Sequence, residues 1–180
     1  MNQICLAAVG EVDRAVMELG ERAILESLNR ACLPIPALPA PDYAWDAERQ
    51  QYNSSLVLQQ VRERMPPGAL KICGITEYDL FIPMLSFIYG QAQVDGSAAV
   101  VSLARLRQEF YGLPSNPALL AERAAKEILH EIGHTFGLLH CPDIRCVMSL
   151  CTNIRQLDLK GEEYCGGCRA LLAPPRRDRQ

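Results

Sequence analysis

Histidine is scarce in this chain of 180 residues: there are three, all between positions 130 and 140. The sequence also lacks a long apolar run, an internal repeat, a low-complexity block and an excess of one charge. Each absence removes a class. A membrane-crossing helix needs about 20 mainly apolar residues in a row, so no membrane partner is expected. With 18 basic against 21 acidic residues, the net charge of −3 carries no basic footprint, which argues against nucleic acid. The one basic stretch, PPRRDRQ at the end, reads as a solvated tail. The start, MNQICLAAVGEVDRAVM, has no positive leader and too short an apolar segment for a signal peptide. Strand-like sequence begins within the first five residues, so no pro-segment is evident. A cytoplasmic location is expected, where thiols stay reduced. The eight cysteines then read as metal ligands and buried thiols, not as disulfides.

The rest of the composition is that of one ordinary globular domain, 49% apolar and 22% charged. Ile4–Val9 reads as a buried strand. Val12, Val16, Leu19, Ala23 and Ile24 recur at helical spacing, predicting a helix over 11–29. The segment CLPIPALPAP cannot lie mid-sheet and is expected to run extended over the surface. Asn53–Arg64 predicts a second helix, and Leu70–Cys73 and Leu80–Pro83 read as strands. Asp95-Gly96 between SFIYGQAQ and AAVVSLAR predicts a hairpin. Asn116-Pro117 is a helix cap with proline at the first helical position. The helix behind it should bury Leu120, Ala124, Ile128, Ile132 and Phe136 along one face. The fold class expected is α/β: a twisted mixed sheet with two main helices and an active-site helix.

That last helix carries the chemistry. His130 and His134, four apart, project from one face and can share a metal ion, and Glu131 occupies the general-base position of HExxH. Gly137 should end the helix in a left-handed turn that returns His140 as a third ligand. Three protein ligands leave a zinc ion with an open position, where the pKa of a water falls toward about 7 and Glu131 can take its proton. Farther on, Cys165 and Cys168 form a CxxC around two glycines, a good turn about a metal. Its partner pair is ambiguous: Cys141/Cys146 and Cys146/Cys151 are both C-x4-C. Four thiolates would make a closed structural zinc site. Cys5, Cys32 and Cys73 lie in apolar runs and are expected to be buried.

HExxHxxGxxHC, then CxM, then CxxC resembles the archaemetzincins, a branch of the metzincin zinc metallopeptidases. GITEYDLFIP, FIYG and VVSLARL are similar to that family's sheet region, so the resemblance covers nearly the whole chain. It implies a single metallopeptidase domain over 1–180, with sheet and helices in 1–137 and a Met-turn and zinc-bound segment in 138–180. It implies two zinc ions: a catalytic one on His130, His134 and His140 with Glu131 as base, and a structural one on Cys141, Cys146, Cys165 and Cys168. Met148 would be the Met-turn methionine beneath the imidazoles. Sixteen residues separate it from Cys165, slightly fewer than the family pattern, which implies a shortened loop. The resemblance also assigns Ser86–Gln93 to substrate binding by strand addition. The function implied is peptide-bond hydrolysis by a monomer acting on a peptide or protein. Two rival readings are a catalytically weak, zinc-stabilised peptide-binding module and a zinc hydrolase of small amides or esters.

Overall fold

The structure, a computed structural model, describes residues 3–172, and the basic tail lies outside them. Ile4–Val9 forms β1, whose successive residues point to opposite faces. Ile4 and Leu6 join one core, with Val16 and Ile24 of α1 (Arg14–Leu28) and Ile128 and Ile132 of α3 (Pro117–Thr135). Cys5, Ala7 and Val9 join the other, with Val57, Leu58 and Val61 of α2 (Ser54–Glu63). A strand covered on both faces has to be apolar throughout, which is why this run does not alternate.

The main sheet has the order β2-β1-β5-β8-β7, where β2 is Cys32–Pro34, β5 Lys71–Thr76, β7 Gly90–Ala92 and β8 Ala98–Ser102. β2, β1, β5 and β8 pair in parallel, and β7 closes one edge antiparallel to β8. The proline-rich segment is thus partly in the sheet. It supplies edge strand β2, where the missing N–H of Pro34 leaves no ladder bond broken in the interior. Cys32 sits on that edge and is only half-buried, whereas Cys5 and Cys73 are fully buried as expected. The predicted hairpin forms between β7 and β8, but only Gly90–Ala92 of the Ser86–Gln93 stretch is strand.

One sheet was expected, and two are present. β3 (Trp45–Asp46), β4 (Gln51–Asn53) and β6 (Leu80–Phe81) form a small second sheet. Beyond β5 the chain is turned out of the main sheet, where Ser102 Oγ donates to Tyr78 O (2.7 Å) and Arg105 grips Asp79 with two N–H groups. Strands of two or three residues are too short to show a period in the sequence.

The helices begin at side-chain caps: Asp13 for α1, Asn53 for α2 and Asn116 for α3. The Asp13 cap explains a start later than the periodicity indicated. α3 departs most from expectation, because it is buried nearly all round from Arg123 to Thr135. Its polar face is covered by the segment after it, which carries α4 (Ile154–Leu159) and α5 (Gly166–Leu172). Arg123 makes a two-pronged pair with Asp158 of α4, and Lys160 pairs with Glu127. Among the described residues no helix is long and apolar enough to cross a membrane.

Candidate active site

His130 and His134 stand one helical turn apart, and their Nε2 atoms approach to 3.1 Å. Their other ring nitrogens are bonded to backbone carbonyls: His130 Nδ1 to Val147 O (2.8 Å) and His134 Nδ1 to Leu138 O (2.7 Å). A carbonyl only accepts, so each Nδ1 carries the proton and each Nε2 keeps its lone pair. α3 ends where Gly137 takes φ 87°, its N–H bonded to His134 O. This turn returns His140, whose ring centroid lies 5.3 Å from His130 and 4.9 Å from His134. Each of the three offers a nitrogen within 4.8 Å of the others. Zinc–nitrogen bonds of about 2.0–2.1 Å give a tetrahedron edge of about 3.3 Å, so the donor set fits that ion.

Two contacts fix the end of this helix. Lys71 Nζ donates to Thr135 O and to Gly96 O, 2.6 Å each. Asp95 N–H donates to His134 O (2.9 Å), so the β7–β8 turn is docked on the helix terminus.

Burial keeps the site neutral. It lowers His130 to about 4 and also lowers His134 and His140, favouring the uncharged imidazole a metal requires. Burial, with Glu127 adding repulsion and Lys160 opposing it, holds Glu131 well above the usual carboxylate range. The Glu131 side chain packs against Gly90 of β7, where an added Cβ would sit 2.6 Å from its Cγ and 2.7 Å from Oε1.

Met148 is fully buried under this helix, and its sulfur lies 2.5 Å from where a Cβ on Gly133 would be. Only glycine between Ile132 and His134 admits it. Cys141, the residue after His140, donates its N–H to Met148 O (2.9 Å), which ties the His140 loop to the Met148 turn.

Cys141, Cys146, Cys165 and Cys168 form a second group, all four sulfurs within 4.8 Å. The 141–165 and 146–168 sulfur separations are 3.7 and 3.8 Å. A zinc–sulfur length of about 2.3 Å gives a tetrahedron edge of about 3.8 Å, so these residues fit zinc. A hydrogen bond from the Cys168 backbone N–H holds the Cys165 thiol down to about 7. Cys151 stands outside the group, with its thiol toward Ser149 O. The geometry brings the 141/146 pair, and not Cys151, to Cys165 and Cys168.

A cleft of about 790 Å³ joins the three histidines and Glu131 to the edge of β7, with Leu85, Leu139 and Leu150 among its lining. Glu127, Lys160, Tyr89 and Cys151 line it as well. Gly90, Glu127, Lys160 and Tyr89 were not singled out from the sequence. Glu127 had a signal, lying one turn before Glu131, while Lys160 is 33 residues from its partner and had none.

A sheet edge facing an HExxH helix across an open cleft, with the third histidine beyond a glycine turn, defines a zinc metallopeptidase, a hydrolase of the metzincin kind. The chain belongs to the archaemetzincins, peptidase family M54, whose family model matches residues 4–173. It is 40% identical over 170 residues to the archaemetzincin of Methanocaldococcus jannaschii, covering 94% of this chain and 92% of that one. The crystal structure of the Methanopyrus kandleri archaemetzincin superposes with a TM-score of 0.83 at 34% identity, covering 94% of this chain and 92% of that one. That of a zinc-dependent peptidase from Methanocorpusculum labreanum does so with a TM-score of 0.85 at 29% identity, covering 94% and 100%. These findings agree with the α/β class and with the resemblance drawn from the motifs.

Proposed function

We propose that this chain hydrolyses peptide bonds at a zinc ion held by His130, His134 and His140, with Glu131 as general base. The observation that carries the reading is the convergence of the three imidazoles beside Glu131 in a cleft bordered by a free sheet edge. Zinc bound there supplies Lewis acidity toward the scissile carbonyl and lowers the pKa of a water. Glu131, kept basic by its buried setting, accepts a proton from the attacking water and passes it to the departing amine. β7 holds the peptide by strand addition at the edge it leaves unpaired among the described residues, and Gly90 sets Glu131 against that edge. Val147 and Leu138 carbonyls orient the two helical imidazoles through Nδ1.

The four cysteines hold a second, structural zinc, and Met148 gives the imidazoles a packed apolar base. Residues 1–180 act as one domain in this reading, with 138–180 supplying the third histidine, the methionine and the cysteine segment. The protein acts as a cytoplasmic monomer on peptides or proteins.

A peptide-library digest read by mass spectrometry, comparing wild type with Glu131→Ala, tests the function. Cleavage by wild type and near-complete loss in the variant, with zinc content unchanged, is expected. Equal cleavage by both would remove Glu131 from the mechanism, and no peptide cleavage at all would favour a binding module or a small-amide hydrolase.

A further inference from the structure

The sheet edge that β7 presents to the cleft is fastened to the histidine-bearing helix at two points. At its start, Gly90 packs against Glu131. Beyond its end, the turn 94–97 leads into β8 and reaches the terminus of α3. There Asp95 N–H donates to His134 O (2.9 Å), and Gly137 N–H donates to the same carbonyl (2.9 Å). Lys71, the first residue of β5, closes this junction. Its Nζ donates to Gly96 O in the turn and to Thr135 O of the last helical residue, at 2.6 Å each.

The junction suits a cation. The last carbonyls of a helix find no partner inside it and carry its partial negative charge. The Lys71 ammonium also lies 4.8 Å from the Phe136 ring centroid, where an aromatic face attracts positive charge. The next residue, Ile72, donates its N–H to Ser97 O (2.9 Å), so backbone and side chain of β5 hold the turn from two sides. Among the described residues the cleft lining does not include Lys71, and the turn reaches that lining only at Val94. His130 and His134 are oriented separately, by Val147 O and Leu138 O. Loosening the junction therefore moves the sheet edge and leaves the imidazoles in place.

We infer that Lys71 is a positioning residue for hydrolysis: by tying the β7–β8 turn to the end of α3, it sets where a peptide on β7 lies relative to the three histidines. This rests on the peptidase reading above. A peptide added to a strand bonds to that strand's backbone and moves with it, so its affinity survives a small shift of the edge. The distance from the scissile carbonyl to the metal does not.

The test compares zinc-loaded wild type with Lys71→Met, which keeps the stem against Phe136 and removes every donor. Steady-state kinetics use a peptide that a wild-type digest shows to be cut. We expect kcat to fall about tenfold or more, since a misplacement of about 1 Å costs on the order of a hundredfold. KM should stay within about threefold of wild type, with zinc content unchanged. Amide hydrogen exchange should quicken at 94–97 and 134–138 while β1 stays protected. A residue that only stabilised the fold would lower Tm and leave kcat per folded molecule as it was. Unchanged kcat, a loss carried by KM alone, or loss of zinc from the histidines would each overturn the proposal. If Lys71→Met does not fold, Lys71→Gln, too short to bridge both carbonyls, carries the same comparison with the same outcomes. A wild type that cuts no peptide loses the peptidase reading. Exchange then still decides the fastening, and unchanged exchange at 94–97 in the variant overturns it.

Discussion

Gly90→Ala tests how tightly the sheet edge positions Glu131, the proposed general base. The new methyl would lie 2.6 Å from Glu131 Cγ, 2.7 Å from Oε1 and 2.8 Å from Cδ. Carbon atoms pack at about 3.5–4.0 Å, so the glutamate must retreat by about 1 Å. The backbone at Gly90 has no positive φ, and alanine is itself compatible with a strand there. Replacing glycine should even offset part of the steric cost, by up to about 1 kcal/mol, through the unfolded chain. The damage should therefore fall on catalysis. A displacement of about 1 Å at a reacting group costs on the order of a hundredfold, or about 2.7 kcal/mol in the barrier. The assay is kcat/KM on a cleavable peptide, with zinc content and Tm measured on the same preparation. We expect kcat to carry the loss, with both zinc equivalents retained and Tm within a few degrees of wild type. In a Glu131→Ala background the same substitution should leave peptide affinity unaltered, because the clashing atoms are gone. Activity of Gly90→Ala within threefold of wild type, at full zinc loading, would refute the claim that this contact positions the base.

Three further outcomes follow from the same geometry. Cys151→Ser should keep the full zinc content by mass spectrometry, while Cys141→Ser should lose one equivalent; the reverse pattern would put Cys151 in the cluster. Mild chelation should remove activity and one zinc while circular dichroism stays native, because a three-histidine site leaves a position for the chelator and a four-thiolate site does not. Stronger chelation should then unfold the C-terminal segment, and simultaneous loss of both ions with the fold intact would contradict this order. Metal-free Glu131→Gln protein, in which the opposing contribution of the raised Glu131 carboxyl is removed, should lose stability as pH falls from 6.5 toward about 4, since folded His130 stays neutral there while the unfolded chain takes up the proton. That shift corresponds to about 3 kcal/mol, levelling off below pH 4, and a flat Tm across this window would show that His130 protonates freely in the fold.

The parts legible in the sequence are those whose cause is local. Asn116-Pro117 caps α3 because a side-chain oxygen and a missing N–H act within one turn. His130 and His134 meet because a helix places residues four apart on one face. Gly137 ends the helix because it alone adopts φ 87° without strain. The cysteine group needed more than spacing, since two C-x4-C pairs were equivalent until the chain's path brought Cys141 to Cys165. The cleft lining was hidden for a different reason. Arg123, Lys126 and Glu127 match no metal-ligand pattern, and a polar stripe on an amphipathic helix usually faces solvent. They are buried because residues 138–172 fold back over that face and bring Asp158 and Lys160 as counter-charges, more than 30 residues away in sequence. Removing a partner from a buried pair typically costs about 3–5 kcal/mol. The charges that look superfluous on α3 are therefore part of how the C-terminal segment docks, and that same docking carries the third histidine and the cysteine group into place. His130, Glu131 and His134 sit on one helix, whose periodicity suffices to reveal them. The Glu127–Lys160 pair sits where two distant segments meet, so helical periodicity alone does not reveal it.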